Sequence, residues 1–312
     1  MKYIDIPNSD LKASNVVMGC MRINQLTTSE LNRLVLGAID NGINFFDHAD
    51  VYGGGECETL FAEAVPMSDD LREKVIIQSK CGIRKDSKEI RGYFDFSKEH
   101  ILQSVDGILQ RLNTDYLDTL LLHRPDTLFE PEEVAEAFDE LHSKGKVRYF
   151  GVSNHNPMQI ELLQNATKHK IIFDQMQLSL AHSPMFSAGL TVNMGLDQSA
   201  DRTGSIVEYC RLNKITIQAW SPFQWGKFKG VFLGDEERFP ELNKAIRNLA
   251  KQHGVTETAI AVAWITRHPA NMQVVTGTTK LDRLLECCQG SDLLLTRDEW
   301  YTLYIAAGNL LP

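Results

Sequence analysis

Basic residues are not in surplus in this 312-residue sequence: 32 Lys and Arg stand against 41 Asp and Glu, for a formal net charge of −9. Nucleic acids and anionic membrane surfaces both reward basic patches, so neither is expected as a main partner. Long apolar runs are missing as well. No segment reaches transmembrane length, and the opening MKYIDIPNSD lacks the apolar core of a secretory signal, so a cytoplasmic location is expected. The six cysteines (Cys20, Cys57, Cys81, Cys210, Cys287 and Cys288) form no C-x-x-C pair, and free thiols in a reducing compartment are the expectation. Metal-ligand spacing is absent too. Asp47, His48 and Asp50 are close in sequence, but their side chains diverge in an extended or turning segment, and no distant H-x-H or H-x-x-E completes a coordination sphere. No linker, repeat or low-complexity stretch divides the chain, so residues 1–312 are read as one domain.

What is present is an alternation of short apolar runs with longer helical patterns. Strands are expected at Asn15–Gly19, Ile43–Phe46, Val75–Ser79, Tyr116–Leu122, Val147–Val152, Ile172–Met176, Ile215–Ala219 and Gln273–Thr276. Helices are expected at Ser29–Asn41, Ser97–Leu112, Pro131–Ser143, Pro157–Lys168 and Pro240–Gln252, with Pro131 and Pro157 suited to first helical turns. Most strand runs are apolar throughout, as when both faces of a parallel sheet are covered. Eight such units point to an α/β fold of the (β/α)8 TIM-barrel type. A doubly wound sheet is the alternative, but Val17-Met18-Gly19-Cys20-Met21-Arg22 carries no G-x-G-x-x-G after the first strand. Three segments break the rhythm: Cys81–Phe96, Ala181–Gly204 and Phe223–Phe239. In a barrel each follows a strand and belongs to the carboxyl-end face, where binding sites are built.

The strands end in polar chemistry. Asp47 follows Ile43–Phe46, Lys80 follows Val75–Ser79, and His123 follows Leu122. In a barrel these ends converge on one mouth, and the turn after Asp47 is short enough to fold Tyr52 back beside them. Taken singly, Asp47 suits a helix cap, His123 a turn and Tyr52 a rim. Lys80 resists such a reading, because an ammonium in an apolar mouth needs a partner to stay charged. Together the four supply an acid, a cation to tune it, a carboxylate to hold that cation, and a hydrogen-bond donor. Catalysis is favoured over a polar turn or a metal site.

The blocks FFDHADVYG, VIIQSKCG, DTLLLHRPD and GKVRYFGVSN, in that order, resemble the characteristic blocks of the aldo-keto reductase superfamily, and the likeness runs from Gly19 to VVTGTTKLDR. The wording around HRPD and EPEEVAEAFDELHSKGKVRYFGVSN is most similar to bacterial members with short carboxyl-terminal tails. The resemblance implies an NADPH-dependent reductase acting on a small carbonyl substrate, with a catalytic tetrad of Asp47, Tyr52, Lys80 and His123. It further implies that Ser153, Asn154 and Gln175 hold the nicotinamide carboxamide, that Trp220 stacks on the ring beside Ser221 and Pro222, and that Gly19, Cys20 and Met21 border the cofactor. Gly277, Thr278, Thr279, Lys280 and Arg283 would meet the adenosine 2′-phosphate, since small residues before a helix leave N–H groups free for phosphate. Three departures stand out: His48, His155 and Cys287 replace residues common in the family, the first two expected near the pocket floor and the carboxamide.

In the mechanism so implied, Tyr52 donates the proton to the developing alkoxide, Lys80 eases its ionisation, Asp47 keeps Lys80 charged, and His123 aligns the carbonyl oxygen. Two rivals exist: a nicotinamide-binding regulatory subunit with little turnover, and a Schiff-base aldolase using Lys80 as nucleophile. Met21, Phe186, Trp225 and Phe228 are read as an apolar pocket lining. The sequence assigns neither a particular substrate nor an oligomeric state.

Overall fold

The computed structural model describes residues 1–86 and 91–312. Eight parallel strands close into a barrel in chain order: β1 (Val16–Gly19), β2 (Phe45–Asp47), β3 (Ile76–Cys81), β4 (Leu117–Leu122), β5 (Val147–Ser153), β6 (Ile171–Gln177), β7 (Thr216–Trp220) and β8 (Gln273–Thr276). β8 pairs with β1 through Val274 with Val16 and Thr276 with Met18, which shuts the sheet and leaves no edge. All eight expected strands are present.

The strands run further into polar residues than their apolar cores suggest. Asp47, Ser153 and Trp220 are last strand residues, and Lys80 lies one before the end of β3. The expected helices form at Thr28–Asp40, Lys98–Leu112, Pro131–Ser143, Pro157–Ala166 and Pro240–His253. Thr27 and Asn156 close reciprocal capping boxes with Glu30 and Gln159, which satisfies free N–H donors at two of these starts. Most of the apolar core lies between barrel and helices and reaches from Val16 and Phe46 to Trp264 and Tyr304.

An antiparallel hairpin, Tyr3–Asp5 with Lys12–Ser14, precedes β1. Its Ile4, Ile6, Leu11 and Ala13 pack with Val17, Phe45, Ile76, Leu121, Phe173 and Val275 in a second buried cluster. The hairpin therefore plugs the amino end of the barrel, and the mouth at the carboxyl ends is the open one. Gly19 ends β1 at this mouth. A Cβ there would come within 2.5 Å of the Thr276 carbonyl oxygen, so glycine lets β1 and β8 approach closely at the rim.

Two of the three excursions are not plain mouth loops. Cys81–Phe96 contains a short hairpin, Ile83–Arg84 with Tyr93–Phe94, and its residues 87–90 lie outside those described. Ala181–Gly204 forms the helix Pro184–Leu190 and turns away to the carboxyl-terminal helix Arg297–Ala306, where Ser187 and Gln198 each hydrogen-bond the Tyr304 hydroxyl.

Candidate active site

The polar strand ends meet around the Lys80 ammonium, which is fully buried. Its Nζ donates to the Asp47 carboxylate at 2.8 Å, to the His48 carbonyl at 2.8 Å and to the Tyr52 hydroxyl at 3.1 Å. Burial acts to depress the Lys80 pKa, but Asp47 and then Tyr52 outweigh it, and the net displacement is upward. Lys80 is thus held charged. Tyr52 is folded back as the sequence implied. The Asp50 N–H donates to the Lys80 carbonyl at 3.1 Å and the Tyr52 N–H to Ala49 at 3.0 Å, which pins the turn to β3. Gly53, Gly54 and Gly55 follow at φ of 55°, 79° and 98°, a left-handed run that side-chain-bearing residues resist.

The Tyr52 phenol feels Lys80 in the expected direction, but more weakly than it feels burial. Burial pushes its pKa up, and the opposing effect of Lys80 does not bring it back. In this state the hydroxyl is firmly protonated. His123 follows β4 directly, its ring 5.9 Å from that of Tyr52 and nearly perpendicular to it. Burial, then Lys80 and Arg124, hold its pKa well below the ordinary value, so the imidazole is neutral. Its Nδ1 has no partner among the described residues.

Beneath the ammonium lies a polar network on the barrel axis. The Gln78 amide donates to Asp47 at 2.6 Å and to Gln218 at 2.9 Å, and Gln175 donates to the same two residues at 3.0 and 3.1 Å. Gln218 donates to Gln273 at 2.9 Å, and Gln273 to the Ser14 carbonyl at 2.8 Å. Thr119 adds a bond to Gln78 at 3.0 Å. Gln78, Gln218 and Gln273 escaped the sequence reading, although Gln78 and Gln218 are lone amides inside strands and Gln273 opens one.

Above this floor a cleft of about 610 Å³ crosses the mouth. Its lining brings together Gly19, Met21, Asp47, Tyr52, His123, Ser153, Asn154, Gln175, Trp220, Ser221, Pro222, Gly277, Thr278, Thr279, Lys280 and Arg283. Asn154 donates to the Ser153 hydroxyl at 2.7 Å and accepts from the Trp220 indole at 3.1 Å, so three of the cofactor candidates form one bonded group. Lys80 sits under the cleft. Cys20 does not line it, because its side chain is fully buried with the thiol turned to the Met18 carbonyl. Arg22, Arg124 and Lys227 also line the cleft and were not foreseen; Arg124 lies 5.6 Å over the Trp220 ring, and its place next to His123 was the available signal.

Other readings are corrected. Met21 and Phe228 line the cleft, whereas Phe186 and Trp225 do not. Phe186 is buried against Trp264, His268 and Trp300, and Trp225 packs near Phe239 under the Lys229 ammonium. His48 is not on the pocket floor: it is buried edge-on to Phe61 at 4.6 Å, its pKa driven down to about 3 by burial and Lys80. His155 lies behind Ser153, bonded to the Ser153 carbonyl at 3.0 Å and stacked on Phe96. Cys287 does line the cleft. Among the described residues no group of three His, Cys, Asp or Glu side chains could hold a metal ion, and no helix is long and apolar enough to cross a membrane.

A profile described as the aldo/keto reductase family matches residues 15–306. The chain belongs to that family. Within it, the chain is 36% identical over 304 residues to an uncharacterized oxidoreductase of Bacillus subtilis, YcsN, which covers 95% of each sequence. It is 31% identical over 306 residues to a 6-dehydroglucose reductase of Agrobacterium fabrum, again covering 95% of each. The holo form of the aldo-keto reductase AKR11C1 from Bacillus halodurans superposes with a TM-score of 0.75 at 24% identity, over 100% of this chain and 98% of that one, a likeness of fold. This aldo/keto reductase is accordingly an oxidoreductase built on a (β/α)8 barrel.

One acid beside the tetrad carries a stability prediction. Asp50 has an Oδ1 with no partner among the described residues, and burial, then the neighbouring Glu58, raise its pKa from 3.8 to about 7. A carboxyl group with a raised folded-state pKa favours the fold when protonated. Its contribution is complete below about pH 4 and is lost as pH rises through about 7. Asp50→Asn should therefore flatten the fall in melting temperature between these limits, removing a loss on the order of 2–4 kcal/mol. Thermal melts of both proteins across that range check it. Parallel curves would show that Asp50 does not titrate there.

Proposed function

We propose that this oxidoreductase uses NADPH to reduce the carbonyl of a small aldehyde or ketone to an alcohol, with Tyr52 as proton donor. The observation that carries the reading is the Lys80 ammonium held between Asp47 and the Tyr52 hydroxyl at the floor of an open cleft. When bound, the reduced nicotinamide would supply the hydride.

Each residue then has a physical task. The Tyr52 hydroxyl, protonated by burial, is placed to give its proton to a carbonyl oxygen as charge develops there. Lys80 stabilises the phenolate left behind, and Asp47, braced by Gln78 and Gln175, keeps Lys80 charged and oriented. His123, neutral at physiological pH, offers a hydrogen bond that aligns the carbonyl oxygen. The residues fit a dinucleotide. The bonded group of Ser153, Asn154 and Trp220 presents amide, hydroxyl and indole surface for a nicotinamide carboxamide and ring. At the far end of the cleft, Thr278, Thr279, Lys280 and Arg283 present hydroxyls and two cations at the start of the helix Leu281–Ser291, suited to a phosphate. An aldolase is disfavoured, because a lysine with a raised pKa and three hydrogen bonds has no free lone pair.

Purified protein mixed with NADPH and a panel of aldehydes and ketones, followed by loss of reduced-nicotinamide absorbance, tests the proposal. Tight cofactor binding without turnover of any of them would favour a regulatory subunit. The cofactor preference has its own test. Charge-assisted bonds from Arg283 to the extra phosphate contribute roughly 1.5–3 kcal/mol each, so Arg283→Ala should cut the preference for NADPH over NADH by about tenfold or more. Dissociation constants for both cofactors measure this. Equal discrimination in the two proteins would remove Arg283 from the site.

A further inference from the structure

A second cavity, of about 390 Å³, lies away from the cleft. It is formed where the redirected helix Pro184–Leu190 meets the helices Ile206–Asn213 and Arg297–Ala306 and residues 267–269, which follow the helix Glu257–Thr266. Two guanidinium groups, Arg267 and Arg297, line it. Neither has a carboxylate within ion-pairing distance among the described residues. Arg267 is anchored, its Nε donating to the Leu295 carbonyl at 2.5 Å. Arg297 is the first residue of its helix, where a cation is opposed by the helix dipole. Together with Arg267 it gives the cavity lining two guanidinium groups available to an anion.

Glu208 is the single carboxylate of the lining, and His268 is neutral because burial, with Arg211 and Arg267, holds its pKa near 4. Two guanidinium groups against one carboxylate, with Arg211 close enough to act on His268, leave the cavity with a net positive charge suited to an anion. The remaining walls are aromatic. Phe186 stacks on His268 at 4.8 Å. Trp300 is stacked with Trp264 at 4.8 Å and Tyr304 at 5.7 Å, which fixes its indole in the cavity wall.

We propose that this cavity binds a small planar aromatic monocarboxylate, its carboxylate held by Arg267 and Arg297 and its ring among Phe186, Trp300 and Tyr301. Guanidinium pairs favour a carboxylate through parallel N–H donors, and the aromatic walls select a ring over a bare ion. The site is independent of the reductive chemistry at the mouth.

Benzoate is the probe. The protein carries four tryptophans, and fluorotryptophan labelling with single Trp→Phe assignments gives each its own fluorine resonance. Benzoate should shift the Trp300 resonance saturably while Trp220, in the cleft, stays in place. Arg297 is exposed, so Arg297→Gln should leave the melting temperature unchanged and raise the dissociation constant about tenfold. Inorganic phosphate, which lacks the ring, and benzyl alcohol, which lacks the charge, should bind at least as weakly as benzoate binds the variant. Movement of Trp220 alone, an unmoved Trp300, unchanged affinity in Arg297→Gln, or phosphate binding as tight as benzoate would each overturn the proposal.

Discussion

Tyr52→Phe is expected to lower carbonyl reduction by roughly two to four powers of ten, the usual contribution of a positioned acid. The substitution removes one hydroxyl and leaves the ring, the glycine turn and the cleft lining in place. NADPH affinity should hardly change, because the bonded group of Ser153, Asn154 and Trp220 lies apart from the hydroxyl. Steady-state rates on a good aldehyde, together with a cofactor titration, give both numbers. A Tyr52→Phe protein that binds NADPH normally and keeps the wild-type rate would show that the proton comes from elsewhere.

Lys80→Met should fail in two ways at once. The rate should drop by a factor comparable to that for Tyr52→Phe, since the phenolate loses the cation beside it. Stability should fall as well, by roughly 3–5 kcal/mol, because Asp47 is left buried without its counter-charge. Urea unfolding measures the second loss. The double variant Asp47→Leu with Lys80→Met should recover much of that stability and none of the activity, which separates the two roles. Lys80 is the first influence drawing the Tyr52 pKa down, so its removal moves the phenol further up. Reduction needs the protonated phenol, and the residual activity of Lys80→Met should persist to higher pH than that of the wild type. An alkaline limb at unchanged pH would mean that the two groups are not coupled.

The barrel was legible because its strands are apolar on both faces and punctuated by proline and glycine. Where the reading stopped short, the backbone ladder had continued through polar residues, as at Asp47, Lys80 and Trp220, since strand pairing is indifferent to side-chain polarity. The plugging hairpin was missed because two strands of three residues carry no period. The helix Glu257–Thr266 is buried on nearly every side and so has no amphipathic stripe to announce it. At the mouth, the meeting of Asp47, Lys80, Tyr52 and His123 was readable from strand ends alone. The fate of loop aromatics was not. Phe186 and Phe228 each sit in an excursion after a strand, yet one is buried against the outer helices and the other lines the cleft, a choice made by long-range packing.

The chain of amides under Lys80 has a direction. From Gln78 down to Ser14 each bond is donated by one glutamine and accepted by the next residue, while Gln78 also donates up to the Asp47 carboxylate, so turning over a single amide would set two acceptors or two donors face to face. The floor therefore holds one arrangement and resists piecemeal change. Substitutions along it should be strongly epistatic, tolerated in matched sets and penalised singly. A lineage altering its taste for carbonyl compounds would accordingly vary the rim, at positions such as Met21 and Phe228, and inherit the floor whole.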